Sequence, residues 1–192
     1  MNPFDALKNQ LLSCTGCPLH ETRTNTVFGE GNPDARVLFI GEAPGATEDE
    51  LGRPFVGRSG QLLDLLMSTV DLSRESNIFI TNTIKCRPPQ NRDPSADEMA
   101  RCIGLLKEQV AIINPAIIVC IGRIAAQALM FPEFKVTQQH GQFFAIDDRL
   151  MMGTYHPASL LRNPRQKPDA FGDFLRLRSK IKEVCPEVYE TA

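Results

Sequence analysis

At 192 residues with 42% hydrophobic content, the chain is long enough to bury a sizeable core, and its length falls within the usual range of one domain. A net charge of −2 argues against a protein that coats nucleic acid through a strong basic excess, and the longest apolar run, Ala116 to Ile121, falls far short of the roughly 20 residues that span a bilayer. With no signal-peptide pattern at the start, a cytoplasmic protein with no membrane partner is expected, and its six cysteines point to metal ligation or buried thiols before disulfides.

The first feature along the chain is Cys14-Thr15-Gly16-Cys17, whose two-residue gap lets both thiolates turn toward one centre. Four short apolar runs then read as buried strands: Arg36–Ile40, Asn77–Thr81, Ala116–Ile121 and Leu150–Tyr155. Helical spacing over Ser59–Met67 separates the first two, and a helix capped by Ser95 and running through Ala100, Ile103, Leu106 and Val110 separates the next two. A helix over Ile124–Met130, an ambiguous Gln142–Ile146 that suits an edge strand, and a last helix from about Phe171 to Val184 complete the pattern. Strands alternating with helices predict a three-layer αβα fold around a central, mainly parallel four-stranded sheet, with residues 1–192 forming a single domain. In such sheets ligands bind beyond the carboxyl ends of the strands, which singles out the segments after Ile40, Thr81, Ile121 and Tyr155.

Those segments carry the chemistry-bearing residues. After the first strand, the turn 41–49 places Gly41, Glu42 and Glu48 at the sheet mouth; it lacks the Lys-Ser/Thr of a phosphate loop and the spacing of a dinucleotide site. Glu42 there suits positioning a water or offsetting positive charge on a sugar, and equally a solvated turn. Phe55, within Gly52-Arg53-Pro54-Phe55-Val56-Gly57, suits stacking on a planar ligand or packing onto the domain's own core. Asn82 offers a donor and an acceptor matched to the edge of a base, or simply closes a turn. His156 opens a proline-bounded loop in which Leu160 and Leu161 precede Arg162; exposed leucines beside an arginine suit a wedge into stacked bases, and buried ones would cap the core. The basic stretch from Arg162 to Lys182 reads either as a phosphate-facing side or as a solvated helix face. Cys86 and Cys102 complete a tetrathiolate set with Cys14 and Cys17, suited to zinc or to an iron–sulfur cluster; Cys120 and Cys185 have no close partner and read as ordinary thiols.

From Cys14 to about Pro164 the sequence resembles family 4 of the uracil-DNA glycosylase superfamily, through the Gly41–Gly45 turn with Glu48-Asp49, the 52–57 loop followed by Gly60-Gln61-Leu62-Leu63, the Asn82–Pro89 segment and the histidine-led loop. The resemblance implies an enzyme of base-excision repair that flips uracil out of single- or double-stranded DNA and hydrolyses its N-glycosidic bond; nothing in the sequence demands more than a monomer. It implies a structural 4Fe–4S cluster on Cys14, Cys17, Cys86 and Cys102. It further implies that Phe55 stacks on the flipped base, Asn82 reads its pairing edge, main chain at Gly41 and Glu42 lines the pocket, and Glu48 crowds the position of thymine's methyl. Glu42 and His156 are the implied catalytic pair: one orients water or steadies the sugar cation, the other donates to the base carbonyl. Leu160 or Leu161, with Arg162 behind, would fill the gap in the helix. A related branch traps uracil covalently through a histidine near the second cysteine pair; Arg87–Arg101 contains none, so turnover is expected.

Overall fold

The computed structural model describes residues 2–190. Helix α1 (Pro3–Leu12) is followed by a short edge strand β1 (Glu30–Gly31), and then β2 (Val37–Gly41), β3 (Ile78–Asn82), β4 (Ile117–Ile121), β5 (Phe143–Ile146) and β6 (Arg149–Thr154) build one sheet in the order β1-β3-β2-β4-β6-β5. The four predicted strands form its parallel centre, each within one residue of its expected bounds at either end. Two antiparallel edges bring the total to six: β5 on β6, where an edge strand was the suggested reading of Gln142–Ile146, and β1 on β3, whose two residues are too short to leave a pattern in sequence.

All five residues of β2, β3 and β4 are buried, because helices cover both faces. On one side, Phe39, Ile80 and Val119 meet α3 (Arg58–Ser68) and α8 (Lys167–Val184) through Leu63, Phe174 and Leu177. On the other, Leu38, Ile40 and Ile118 meet α1, α4 (Ala96–Ile113) and α5 (Arg123–Leu129) through Leu7, Leu106 and Ala125. This alternation along each strand is the three-layer arrangement the sequence predicts. Ser95 caps α4 through a full capping box, its hydroxyl accepting from the Glu98 N–H while Glu98 reaches back to the Ser95 N–H.

Among the described residues, four α-helices have no counterpart in the sequence pattern: α1, α2 (Ala46–Leu51), α6 (Val136–Gln139) and α7 (Pro157–Arg162). The last corrects the expectation of an irregular loop. Pro157 stands at the first helical position, where its missing N–H costs nothing, and His156 caps the helix. A single helical turn then points the two leucines in different directions: Leu160 is fully buried in the core, while Leu161 is 37% exposed. Leu160 is therefore a core residue and not a wedge. Among the described residues no helix is long and apolar enough to cross a membrane.

Candidate active site and cysteine pocket

The carboxyl ends of β2, β3, β4 and β6 open into a cleft of about 720 Å³ whose lining includes Glu42, Glu48, Phe55, Asn82 and His156. The sequence scatters these residues over more than a hundred positions; the parallel sheet gathers them. At its floor, Gly41 pairs in register with Asn82. A Cβ on Gly41 would lie 2.3 Å from the Phe55 ring and 2.5 Å from Asn82 Oδ1, so only glycine lets the aromatic ring and the amide close together over the strand end. Asn82 is 1% exposed, and its Oδ1 is buried without a hydrogen-bond partner. A buried carbonyl left unpaired costs roughly 1–3 kcal/mol, so such an acceptor marks a position that awaits a donor.

Phe55 has φ +51°, a left-handed conformation unusual for a side chain of its size, and must be held there by its surroundings. Three contacts do so. Glu48 Oε1 accepts the N–H groups of Val56 at 2.9 Å and Gly57 at 2.7 Å. Buried Arg74 donates to the carbonyls of Pro54 at 2.7 Å and Phe55 at 2.9 Å and pairs with Asp64. Gly60 allows α3 to pack directly under the Phe55 carbonyl, where a Cβ would come within 1.8 Å. Phe55 thus joins the main core and lines the cleft at once, so the two readings of this ring coincide. Arg74 went unnoticed in sequence, where it sits in a polar turn far from any motif; only its tertiary contacts reveal it.

His156 faces Phe55, with ring centroids 6.0 Å apart. Its Nδ1 accepts the Ala158 N–H at 3.1 Å, which in a neutral ring leaves the proton on Nε2 as a donor. Burial, helped by the Arg162 guanidinium, pushes its pKa down to about 4, with Glu48 acting the other way, so the neutral form prevails at pH 7. Glu42 shifts oppositely: burial first, then Asp93, raise its carboxyl above the usual range, against a smaller pull from Arg123. Asp93 and Arg123 pair at 3.3 Å and both line the cleft. Leu161 and Arg162 lie at the end of α7, with Arg162 in the cleft wall. The basic C-terminal stretch is less free than its sequence implies, since Arg176 pairs with Asp173, Arg178 with Asp71 and Lys180 with Glu183.

A second, smaller pocket collects Cys14, Cys17, Cys86 and Cys102 beside Leu11 and Leu105. Arg23 bridges it, donating to Cys86 Sγ at 3.0 Å and to the Cys14 carbonyl at 2.6 Å. Burial pushes the Cys86 and Cys102 thiols up, so the thiolates need positive charge to form. Among the described residues, no group of three or more His, Cys, Asp or Glu side chains is placed to hold a single metal ion. The segment between Cys86 and Cys102 leads from this pocket to the cleft, where Pro88, Asn91, Arg92 and Asp93 form part of the wall. Cys120 and Cys185 are buried away from it, as ordinary thiols.

Residues 28–177 match the family model of the uracil DNA glycosylase superfamily. The chain belongs to that superfamily. Membership makes it a hydrolase of the uracil-DNA glycosylase type. It is 39% identical to the type-4 uracil-DNA glycosylase of Archaeoglobus fulgidus over 193 residues, covering 96% of this chain and 94% of the relative. The type-4 enzymes of Thermotoga maritima and Pyrobaculum aerophilum are 43% and 42% identical, over 83% and 82% of this chain and 84% of each relative. Within the superfamily framework, the sheet mouth brings together Glu42, Glu48, Phe55, Asn82 and His156, and leaves Leu160 out.

Proposed function

We propose that this glycosylase removes uracil from DNA by flipping the nucleotide into the cleft between Phe55, Asn82 and His156. The observation that carries the reading is the unpaired, buried Oδ1 of Asn82 beside the Phe55 ring. Uracil presents an N3–H donor next to its O4 acceptor, the complement of an asparagine amide with Oδ1 fixed as acceptor. Cytosine presents an acceptor and an amino group in those places and would leave buried groups mispaired, which costs a site built on hydrogen bonds heavily. A base inside a duplex cannot reach such a pocket, so unstacking precedes recognition. Leu161, exposed and followed by Arg162, would fill the vacated space.

In the reaction the C1′–N1 bond breaks and the oxygen of a water bonds to C1′; the proton that water loses balances the one uracil gains. Negative charge grows on the leaving base and positive charge on the sugar. His156, neutral with its proton on Nε2, donates a hydrogen bond to the base carbonyl as charge collects there. Glu42 in its ionised form orients the water and offsets the sugar cation. Glu48, fixed by two backbone N–H groups, stands as a rigid wall against the methyl of thymine.

The cysteine pocket fits a 4Fe–4S cluster. Four thiols line one pocket, a donor set that suits an iron–sulfur centre, and Arg23 supplies a cationic donor to the sulfur of Cys86. Bound there, the cluster would supply four iron–thiolate bonds cross-linking the N-terminal turn, the end of β3 and α4, and so anchor both ends of the segment that walls the cleft.

The test is release of uracil from single- and double-stranded oligonucleotides with one uracil each, by iron-loaded wild type, Glu42→Ala and His156→Ala. Each substitution is expected to slow release by roughly 10²–10³-fold. Wild type that leaves both substrates intact would sink the assignment.

A further inference from the structure

Between the two pockets lies Lys85, 1% exposed and adjacent in sequence to Cys86. A lysine ammonium has three donors and loses several kcal/mol when buried without partners. Here all three donors are used, none on a carboxylate: Nζ donates to Thr81 Oγ1 at 2.5 Å, to the Asn82 carbonyl at 2.9 Å and to Gln109 Oε1 at 2.7 Å. The acceptors are themselves fixed. The Thr81 hydroxyl and the Gln109 amide both donate to the Phe28 carbonyl, at 2.9 and 3.0 Å, so each can turn only its oxygen toward the lysine. The network is closed, and every member lies in the interior.

Its placement gives it a role beyond filling the core. On the side toward β2, the chain after Asn82 is held by Thr83, whose N–H donates to the Gly41 carbonyl at 2.8 Å. On the other side, the Asn82 carbonyl is held by Lys85, which also lines the cysteine pocket. We propose that Lys85 is a positioning residue for Asn82, fixing the peptide that carries the base-reading side chain and joining it to the cysteine pocket. The inference rests on the reading that Asn82 recognises uracil. Without the lysine, three buried oxygens lose their donor and the Asn82 peptide is free to tilt. An amide turned through half a circle offers a donor where uracil needs an acceptor.

The experiment compares iron-loaded wild type with Lys85→Met, Gln109→Leu and Gln109→Glu. It measures iron content, kcat per cluster on a uracil oligonucleotide, and inhibition by free uracil. Lys85→Met is expected to keep its iron yet lose roughly 10²-fold in kcat, the effect of a displacement near 1 Å at a reacting site, with weaker inhibition by uracil. Gln109→Leu should shift both readouts the same way, by roughly tenfold, while Gln109→Glu, which keeps the oxygen that Lys85 donates to but loses the amide that donates to Phe28, is expected between Gln109→Leu and wild type. If Lys85→Met lowers Tm alone and matches wild type in kcat per cluster and uracil inhibition, the lysine is merely structural and the inference fails. Should Lys85→Met not fold, equal activity of the two Gln109 variants overturns it and unequal activity supports it. Wild type that releases no uracil overturns the glycosylase reading, and this inference with it; active wild type beside equally active variants overturns the inference alone.

Discussion

The cleft and the cysteine pocket lie on either side of Lys85 and are built on opposite principles. In the cleft, the protein itself satisfies almost every polar group that gives the site its shape: Glu48 is held by two N–H groups, His156 by another, and the Phe55 loop by Arg74. Among the buried side-chain atoms of the described residues that line it, the one left unpaired is Asn82 Oδ1. The cysteine pocket has the reverse character. Its four sulfurs have few protein partners, among them the Arg23 donation to Cys86 and the Gly16 N–H to Cys14 at 3.4 Å, and burial works against ionisation of two of the thiols. The shape of the cleft is set by the protein's own hydrogen bonds; the sulfurs of the cysteine pocket have few, and the proposed cluster would supply the bonds they lack.

The sharpest way to break this contrast is Asn82→Ala. If the cleft's recognition is concentrated in that side chain, uracil release falls on the order of 10³-fold while iron content and its visible absorption stay at wild-type levels. Loss of the iron as well would mean the two regions are not separable. Gly41→Ala comes next. Its added methyl must displace the Phe55 ring or the Asn82 amide, so kcat should drop by roughly 10²-fold with little change in iron. Cys102→Ser probes the other region: iron loading should fail and Tm should drop by roughly 10 °C, the consequence of losing a few kcal/mol in a chain of this size. A variant that keeps wild-type Tm and activity without iron would remove the structural role assigned to the cysteines.

The smallest expected effect concerns pH. Glu42 must be ionised to orient water, and its carboxyl is already raised by burial and Asp93, so activity is lost as pH falls through that raised value. His156, with its pKa down at about 4, titrates below the raised Glu42 carboxyl. Replacing Arg123 by Gln removes the one group that lowers the Glu42 pKa and frees Asp93 from its ion pair; both changes favour the protonated acid. The acid limb of the kcat/KM profile should therefore move to higher pH. A shift to lower pH would assign that limb to another group.

The sequence by itself determined the parallel centre of the sheet, because a strand covered on both faces is apolar throughout, and short β-branched runs such as Val37–Ile40 and Ile117–Ile121, alternating with helical patterns, fit that placement. It also determined which segments meet at the cleft, since strand ends in such a sheet face one edge, and Glu42, Asn82 and His156 line it. The tertiary structure decided the rest. Leu160 and Leu161 are neighbours in sequence, yet one turn of helix sends the first into the core and leaves the second at the surface. Arg74 and Lys85 carry no role that the sequence shows, for no local pattern encodes a hydrogen bond to Pro54 or Gln109, twenty or more residues away. Phe55 holds its left-handed backbone only because Arg74, Glu48 and α3 meet around it. Local patterning is set by short-range sterics and periodic burial, and so it survives in sequence; the polar contacts that orient a site join elements far apart along the chain, and only the packed fold brings them within reach.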